Sequence, residues 1–228
     1  KMNKVLLEYV WLDGYKTPNL RSKTKVVDCT DVSFDTSGTP DVRSLPDWNF
    51  DGSSTEQAPG HDSEMVLKPC RVYRWDDNHF FVLSEVYNNV GTPHFSNLRS
   101  KLRNESQKFS SEEFWWGFEQ EYFLTSGWRP LGFPDNGYPP PQGLYYCGVG
   151  SNQAAGRKLV EMHLRKCLSM GIELTGTNAE VALGQWEYQC FAKDTLKACD
   201  DLWISRYVLY RMSEDFGWGI DLNPKPIQ

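Results

Sequence analysis

Trp116-Gly117-Phe118-Glu119-Gln120-Glu121-Tyr122 is the stretch that decides the fold of the second half of the chain. Its aromatic and apolar residues read as a strand, and residues two apart in a strand point to one face. Glu119 and Glu121 therefore project together, while Phe118, Gln120 and Tyr122 point the other way. A second stretch, Asn178-Ala179-Glu180-Val181-Ala182-Leu183-Gly184-Gln185-Trp186-Glu187, has a similar character. Gly184 breaks it, so a hairpin turn there returns Glu187 beside Glu180. Charged side chains seldom enter such surroundings without a partner. Like charges this close repel, and a hard divalent cation such as Mg²⁺ or Mn²⁺, which takes carboxylate oxygens, relieves the repulsion. The plainer alternative is a pair of half-buried strands whose glutamates face water.

Outward from these strands the pattern changes. Residues 134–143 include Pro139-Pro140-Pro141-Gln142-Gly143, too proline-dense for a helix, and predict an extended lid or wall. Residues 152–170 predict a helix with Ala155, Leu159, Met162, Lys166 and Met170 on one side, capped by Asn152 and stopped by Gly171. Residues 195–216 predict another, with Leu196, Cys199, Trp203, Tyr207 and Tyr210 at helical spacing and Gly217 as the stop. Gly148-Val149-Gly150 lacks the fuller spacing of a phosphate loop and reads as a turn into the first of these helices.

The first hundred residues are strand-rich. Runs at 5–12, 25–27 and 79–87 read as strands, the first ended by the Asp13-Gly14 turn signal. Residues 49–60 are rich in glycine, serine and proline and read as a long functional loop. Residues 97–113 suggest a short connecting helix. The expected organisation is α+β, with residues 1–104 forming a small β-rich domain and residues 105–228 an antiparallel sheet with packed helices.

Composition narrows the classes. The 228 residues, 39% hydrophobic and 24% charged, suit a globular chain of one large or two modest domains. A net charge of −6 with no basic stripe argues against nucleic acid as the main ligand. No apolar run approaches the length of a membrane span. The N-terminus has no signal-like apolar region, and Lys1 is not an initiator methionine, so residues upstream are expected. The six cysteines show no CxxC and read as reduced thiols of a cytosol-like compartment. The four histidines lack zinc spacing.

Five segments carry a family resemblance: Trp48-Asn49-Phe50-Asp51-Gly52-Ser53-Ser54-Thr55, Trp116 to Tyr122, Tyr145-Tyr146-Cys147-Gly148-Val149-Gly150, Gly176-Thr177-Asn178-Ala179-Glu180-Val181 and Gly184-Gln185-Trp186-Glu187-Tyr188-Gln189. In this order they resemble the eukaryotic-type (type II) glutamine synthetases. The likeness runs from Leu7-Glu8-Tyr9, through Leu20-Arg21-Ser22-Lys23-Thr24, to Pro224-Lys225-Pro226-Ile227.

The resemblance implies a β-grasp-like N-terminal domain followed by the first part of a catalytic domain. It implies ATP-dependent ligation of ammonia to L-glutamate through a γ-glutamyl phosphate, with Mg²⁺ or Mn²⁺ neutralising phosphate charge. By position, Glu121, Glu180 and Glu187 match ligands of one ion beside the glutamate substrate, and Glu119 matches a ligand of a second ion on the phosphates. Asp51 matches the aspartate that binds ammonium and takes its proton; taken alone, it reads as a turn residue before Gly52. Trp115 matches an aromatic near the nucleotide base, and residues 187–192, including Tyr188, Gln189, Cys190, Phe191 and Ala192, match a stretch along the ATP. The implied assembly is a ring homo-oligomer, a decamer of two pentamers, with active sites between subunits. The expected location is the cytoplasm, and the sequence does not exclude an organelle.

Two departures stand out. Gln189-Cys190 is followed by Phe191-Ala192-Lys193 rather than Gly-Pro, as in a largely bacterial branch of the family. The chain also stops before the family's Asp-Trp-Asn-Gly segment, beyond which lie a metal histidine, a further metal glutamate and arginines for phosphate and glutamate. The competing expectation is therefore a shortened, inactive structural or regulatory subunit.

Overall fold

The computed structural model describes residues 3–226 and is α+β. The chain divides into two compact units, Lys1–Glu112 and Glu113–Gln228. Ile227, the last residue of the family resemblance, lies outside the described residues.

The first unit is built on a five-stranded sheet of order β2-β1-β5-β4-β3. Its strands are β1 (Lys4–Leu12), β2 (Leu20–Asp28), β3 (Trp48–Asp51), β4 (Glu64–Asp76) and β5 (His79–Asn88). β1 and β5 run parallel at its centre and the other pairs are antiparallel, the mixed arrangement of a β-grasp-like domain. Val5, Leu7, Tyr9 and Trp11 alternate along β1 and join Phe50, Leu67, Phe80 and Val82 in one core. The sheet curls until its edges meet: Lys23 of β2 lies 3.7 Å over the Trp48 ring of β3. Helix α1 (Leu98–Lys108) follows, capped by Asn97 through Ser100 N–H.

Two elements here depart from expectation. The stretch expected to be a loop over 49–60 begins as strand β3 and continues as a 3₁₀ turn, Gly52–Thr55. β4 was hidden by Pro69, which sits in mid-strand; the register slips between Pro69 and Arg71, so a bulge absorbs the missing donor.

The second unit has an antiparallel sheet of order β10-β6-β9-β8, with β7 on β6. Its strands are β6 (Trp116–Ser126), β7 (Arg129–Pro130), β8 (Leu174–Ala179), β9 (Gln185–Ala192) and β10 (Gly219–Asp221). Helices α2 (Arg157–Ser169) and α3 (Thr195–Glu214) cover one face. Tyr122, Leu124, Trp186 and Tyr188 are buried there with Leu159, Ile204 and Val208.

Both helices correct the sequence expectation in detail. Helix α2 starts at Arg157 rather than Asn152, because Gly156 has a left-handed backbone at φ 91°. Its buried stripe is Leu159, Val160, His163 and Cys167, and Met162 is exposed. On α3 the buried residues include Ala198, Ile204, Ser205, Val208 and Leu209; of the expected stripe only Tyr207 is fully buried. Among the described residues no helix is long and apolar enough to cross a membrane, and all six cysteines are free.

Candidate functional site

The site is built on the sheet face that α2 and α3 leave open. Along β9, Trp186, Tyr188, Cys190 and Ala192 are buried, and Gln185, Glu187, Gln189 and Phe191 alternate with them on the other face. β6 supplies Glu119 and Glu121 to that face, its register setting Glu119 opposite Gln189 and Glu121 opposite Glu187. The expected hairpin is present: Asn178 pairs with Glu187, Ala179 with Trp186, and Glu180 N–H donates to the Gln185 carbonyl at 3.0 Å. Glu180 itself lies in the turn, one residue beyond β8. Gly184 closes that turn at φ 81°, where a Cβ would lie 2.5 Å from the Leu131 carbonyl oxygen.

This brings a carboxylate oxygen of each of Glu121, Glu180 and Glu187 within 4.8 Å of the others. Glu119, on the same face, is exposed and outside that group. None of the four forms an ion pair among the described residues. Side-chain amides hold Glu121, Glu180 and Glu187 instead. Gln185 Nε2 donates to Glu121 Oε2 at 3.0 Å, and Asn178 Nδ2 to Glu180 Oε1 at 3.3 Å. Gln189 Nε2 bridges Glu187 Oε1 and Asn178 Oδ1. Burial pushes the Glu187 carboxyl above its ordinary range; the Gln189 bond opposes this, and the charges of Glu119, Glu180 and Glu121 add to it. Asn178 and Gln185 were not singled out in the sequence, and Gln189 was expected only along the nucleotide, yet Gln185 and Gln189 flank Glu187 at two-residue spacing, which was the available signal.

Oxygen donors crowded without a counter-charge fit a hard divalent cation. Tyr146 and Cys147 lie close by: the Tyr146 hydroxyl is raised in pKa by Cys147 first, then by Glu180 and Glu187. Beside the carboxylates an apolar cavity of about 330 Å³ is walled by Phe123, Pro139, Pro140, Leu183 and Gln185.

The residues expected along a nucleotide divide by face. Gln189 and Phe191 are on the open side. Tyr188, Cys190 and Ala192 have their side chains buried on the helix side, with Tyr188 hydroxyl 2.8 Å from Ser205 Oγ, so only their backbone can meet a ligand. Trp115 is exposed, edge-on to Phe191 with centroids 5.9 Å apart, and carries Lys193 Nζ 4.4 Å over its ring.

Asp51 belongs to the first unit and these residues to the second. It is exposed at the end of β3. Its carboxylate accepts from Ser53 Oγ at 2.6 Å and Ser53 N–H at 2.9 Å, bonds that hold it below the ordinary carboxylate range.

With this geometry in view, residues 96–228 match the profile of the glutamine synthetase catalytic domain. The chain belongs to the glutamine synthetase family. It is 47% identical over 232 residues to a glutamine synthetase of Bradyrhizobium diazoefficiens, covering 99% of this chain and 64% of that one. It is 44% identical to a glutamine synthetase of Yarrowia lipolytica, covering 98% of this chain and 60% of that one. The chain thus spans about three-fifths of the curated glutamine synthetases it matches. Its fold is shared with the solved Plasmodium falciparum glutamine synthetase at TM-score 0.71 and 13% identity, covering 99% of this chain and 48% of that one.

Proposed function

We propose that this chain forms the N-terminal part of an ATP-dependent glutamate–ammonia ligase, a glutamine synthetase, serving nitrogen assimilation. The observation that carries the reading is the convergence of Glu121, Glu180 and Glu187 on an open sheet face with no cationic side chain paired to them. In this reading Glu121, Glu180 and Glu187 hold one Mg²⁺ or Mn²⁺, and Glu119 reaches toward a second. The bound ions would neutralise phosphate charge during transfer to the γ-carboxylate of L-glutamate. Glu121 also orients that glutamate, and the Gln185 bond fixes the Glu121 oxygen that does so. Trp115, Phe191 and Gln189 face the nucleotide with their side chains, and the backbone of Tyr188, Cys190 and Ala192 lines its path. Asp51 binds ammonium and takes its proton; its carboxylate, held ionised by Ser53, suits both tasks. The two units act as an N-terminal β-grasp-like domain and the start of the catalytic domain. The working assembly is a cytoplasmic ring of identical chains, two pentamers deep, whose sites form between neighbours.

The direct test is Mn²⁺ titration of the purified protein by calorimetry. Glu121→Ala is expected to weaken binding by at least about tenfold, because losing a ligand costs no less than losing its support. Unchanged affinity would remove the metal assignment. For Asp51→Asn the expectation is near-normal ATP binding with glutamine formation lost.

A further inference from the structure

The turn that presents Asp51 is fastened from behind by a connected set of hydrogen bonds. Asp51 caps the 3₁₀ turn Gly52–Thr55. At the far end of that turn Thr55 Oγ1 donates to Gln57 Oε1 at 2.8 Å. Gln57 Nε2 donates its two hydrogens to the Leu12 carbonyl, at 3.0 Å, and to Ser96 Oγ, at 2.9 Å. His94 Nδ1 lies 2.8 Å from Ser96 Oγ and 3.3 Å from Ser96 N. A backbone N–H can only donate, so Nδ1 is an acceptor and the neutral ring carries its proton on Nε2. Burial lowers the pKa of this ring, and the Gln57 backbone opposes the shift. Thr55, Gln57, Ser96 and His94 are thus joined in one chain of hydrogen bonds, and Gln57 and His94 are only 4% and 7% exposed. A second fastening lies beside it. Gly14 N–H donates to the Thr55 carbonyl at 2.9 Å, and a Cβ on Gly14 would stand 2.0 Å from the Glu56 carbonyl oxygen.

We propose that Gln57 and His94 are positioning residues that fix the Asp51 turn against the end of β1, an inference that rests on reading Asp51 as the ammonium-binding carboxylate. The turn needs such help. The Ser53 bonds orient the Asp51 carboxylate within the turn, but Ser53 and Ser54 are exposed and Asp51 ends an edge strand, so little packing around them fixes the turn itself. A buried amide with both hydrogens and its oxygen engaged has one orientation. Glutamate has the same shape, but it would set an oxygen against the Leu12 carbonyl, which cannot donate.

The experiment pairs amide hydrogen exchange with steady-state kinetics on the protein that carries this sequence. In Gln57→Glu, exchange of residues 52–58 is expected to accelerate by about tenfold or more, as two lost hydrogen bonds allow, while β1, β4 and β5 keep their protection. The KM for ammonium is expected to rise by a similar factor, with the KM for ATP unchanged. Ser96→Ala, which cuts one link and cannot upset the fold by charge, is expected to show a smaller effect of the same kind. Unchanged exchange in both variants overturns the latch whatever Asp51 does. Faster exchange with normal ammonium kinetics overturns the positioning role if Asp51→Asn, assayed alongside, is impaired. If Asp51→Asn is equally silent, the reading of Asp51 fails and takes this inference with it.

Discussion

Two glutamates in this chain are nearly equally buried, Glu85 at 4% exposure and Glu187 at 7%, and their surroundings are opposite. Glu85 on β5 accepts from Arg99 Nη1 at 2.8 Å, Tyr87 hydroxyl at 2.9 Å and Arg103 Nη1. Burial alone would raise its pKa, but the Arg103 and Arg99 bonds, helped by Tyr87, bring it below the ordinary value. Glu187 on β9 has a carboxylate on each side and an amide for support, and its pKa goes up. The first carboxylate arrives with its counter-charge in the sequence and serves the fold. The second has none among the described residues, which is what a residue reserved for a ligand looks like.

Breaking the first arrangement is expected to have the largest effect. Glu85→Ala leaves Arg99 and Arg103 facing each other with side chains 18% and 33% exposed. Their partial hydration places the loss near the lower end for a broken buried pair, about 3–4 kcal/mol. Urea unfolding of the variant checks this, and a loss below about 1 kcal/mol would mean that the pair is already solvated. The pH dependence follows in sign. Because the folded pKa lies below the unfolded 4.5, the contribution of Glu85 is complete above that pH and is lost as pH falls through the folded value.

How far each glutamate was legible in the sequence follows from the same contrast. Glu119, Glu121 and Glu187 stand in aromatic strands with two-residue alternation, so their shared face could be read without a structure, and Gly184 announced the hairpin. Glu85 gave no such signal, since its arginines lie 14 and 18 positions away on a helix. Pairings of that kind belong to the tertiary fold. Pro69 concealed β4 for a local reason, a bulge that no propensity scale reports. The start of α2 was misplaced because Asn152 offered a good cap, whereas Gly156 took the left-handed turn that sets the entry. Tyr188 illustrates the remaining limit. The family resemblance implies a position along the nucleotide, and only the alternation of β9 shows that its side chain faces the helices.

A third buried group gives an intermediate effect and sharpens the acid response. His163 is buried between α2 and α3, its Nε2 donating to the Ser205 carbonyl at 2.9 Å. Burial lowers its pKa from 6.5 to about 4, against the pull of that bond. The unfolded chain therefore binds this proton more readily, and stability falls as pH drops from 6.5 toward 4. The loss over that window is expected to be about 2–3 kcal/mol. His163→Gln, which can keep the bond to Ser205, should flatten this part of the profile. Acid sensitivity below it, where Glu85 takes up its proton, should remain. If the slope between pH 6.5 and 4 persists in the variant, His163 is not its source.

The smallest effect on stability tests Glu187 itself. Glu187→Gln keeps the oxygen that accepts from Gln189 and removes one of the crowded charges. Without metal, the variant is expected to be more stable than the parent by up to about 1 kcal/mol, since like charges set opposite each other on paired strands repel. With Mn²⁺ the order should reverse. A cation present at a hundred times its dissociation constant stabilises the folded parent by about 2.7 kcal/mol, and a variant lacking a ligand gains much less. Thermal unfolding of both proteins with and without Mn²⁺ reads the crossing. A variant less stable than the parent in both conditions would place Glu187 with Glu85, as a carboxylate that serves the fold. The crossing is the result that separates the two kinds of glutamate, because a carboxylate with an internal partner gains nothing from an added cation.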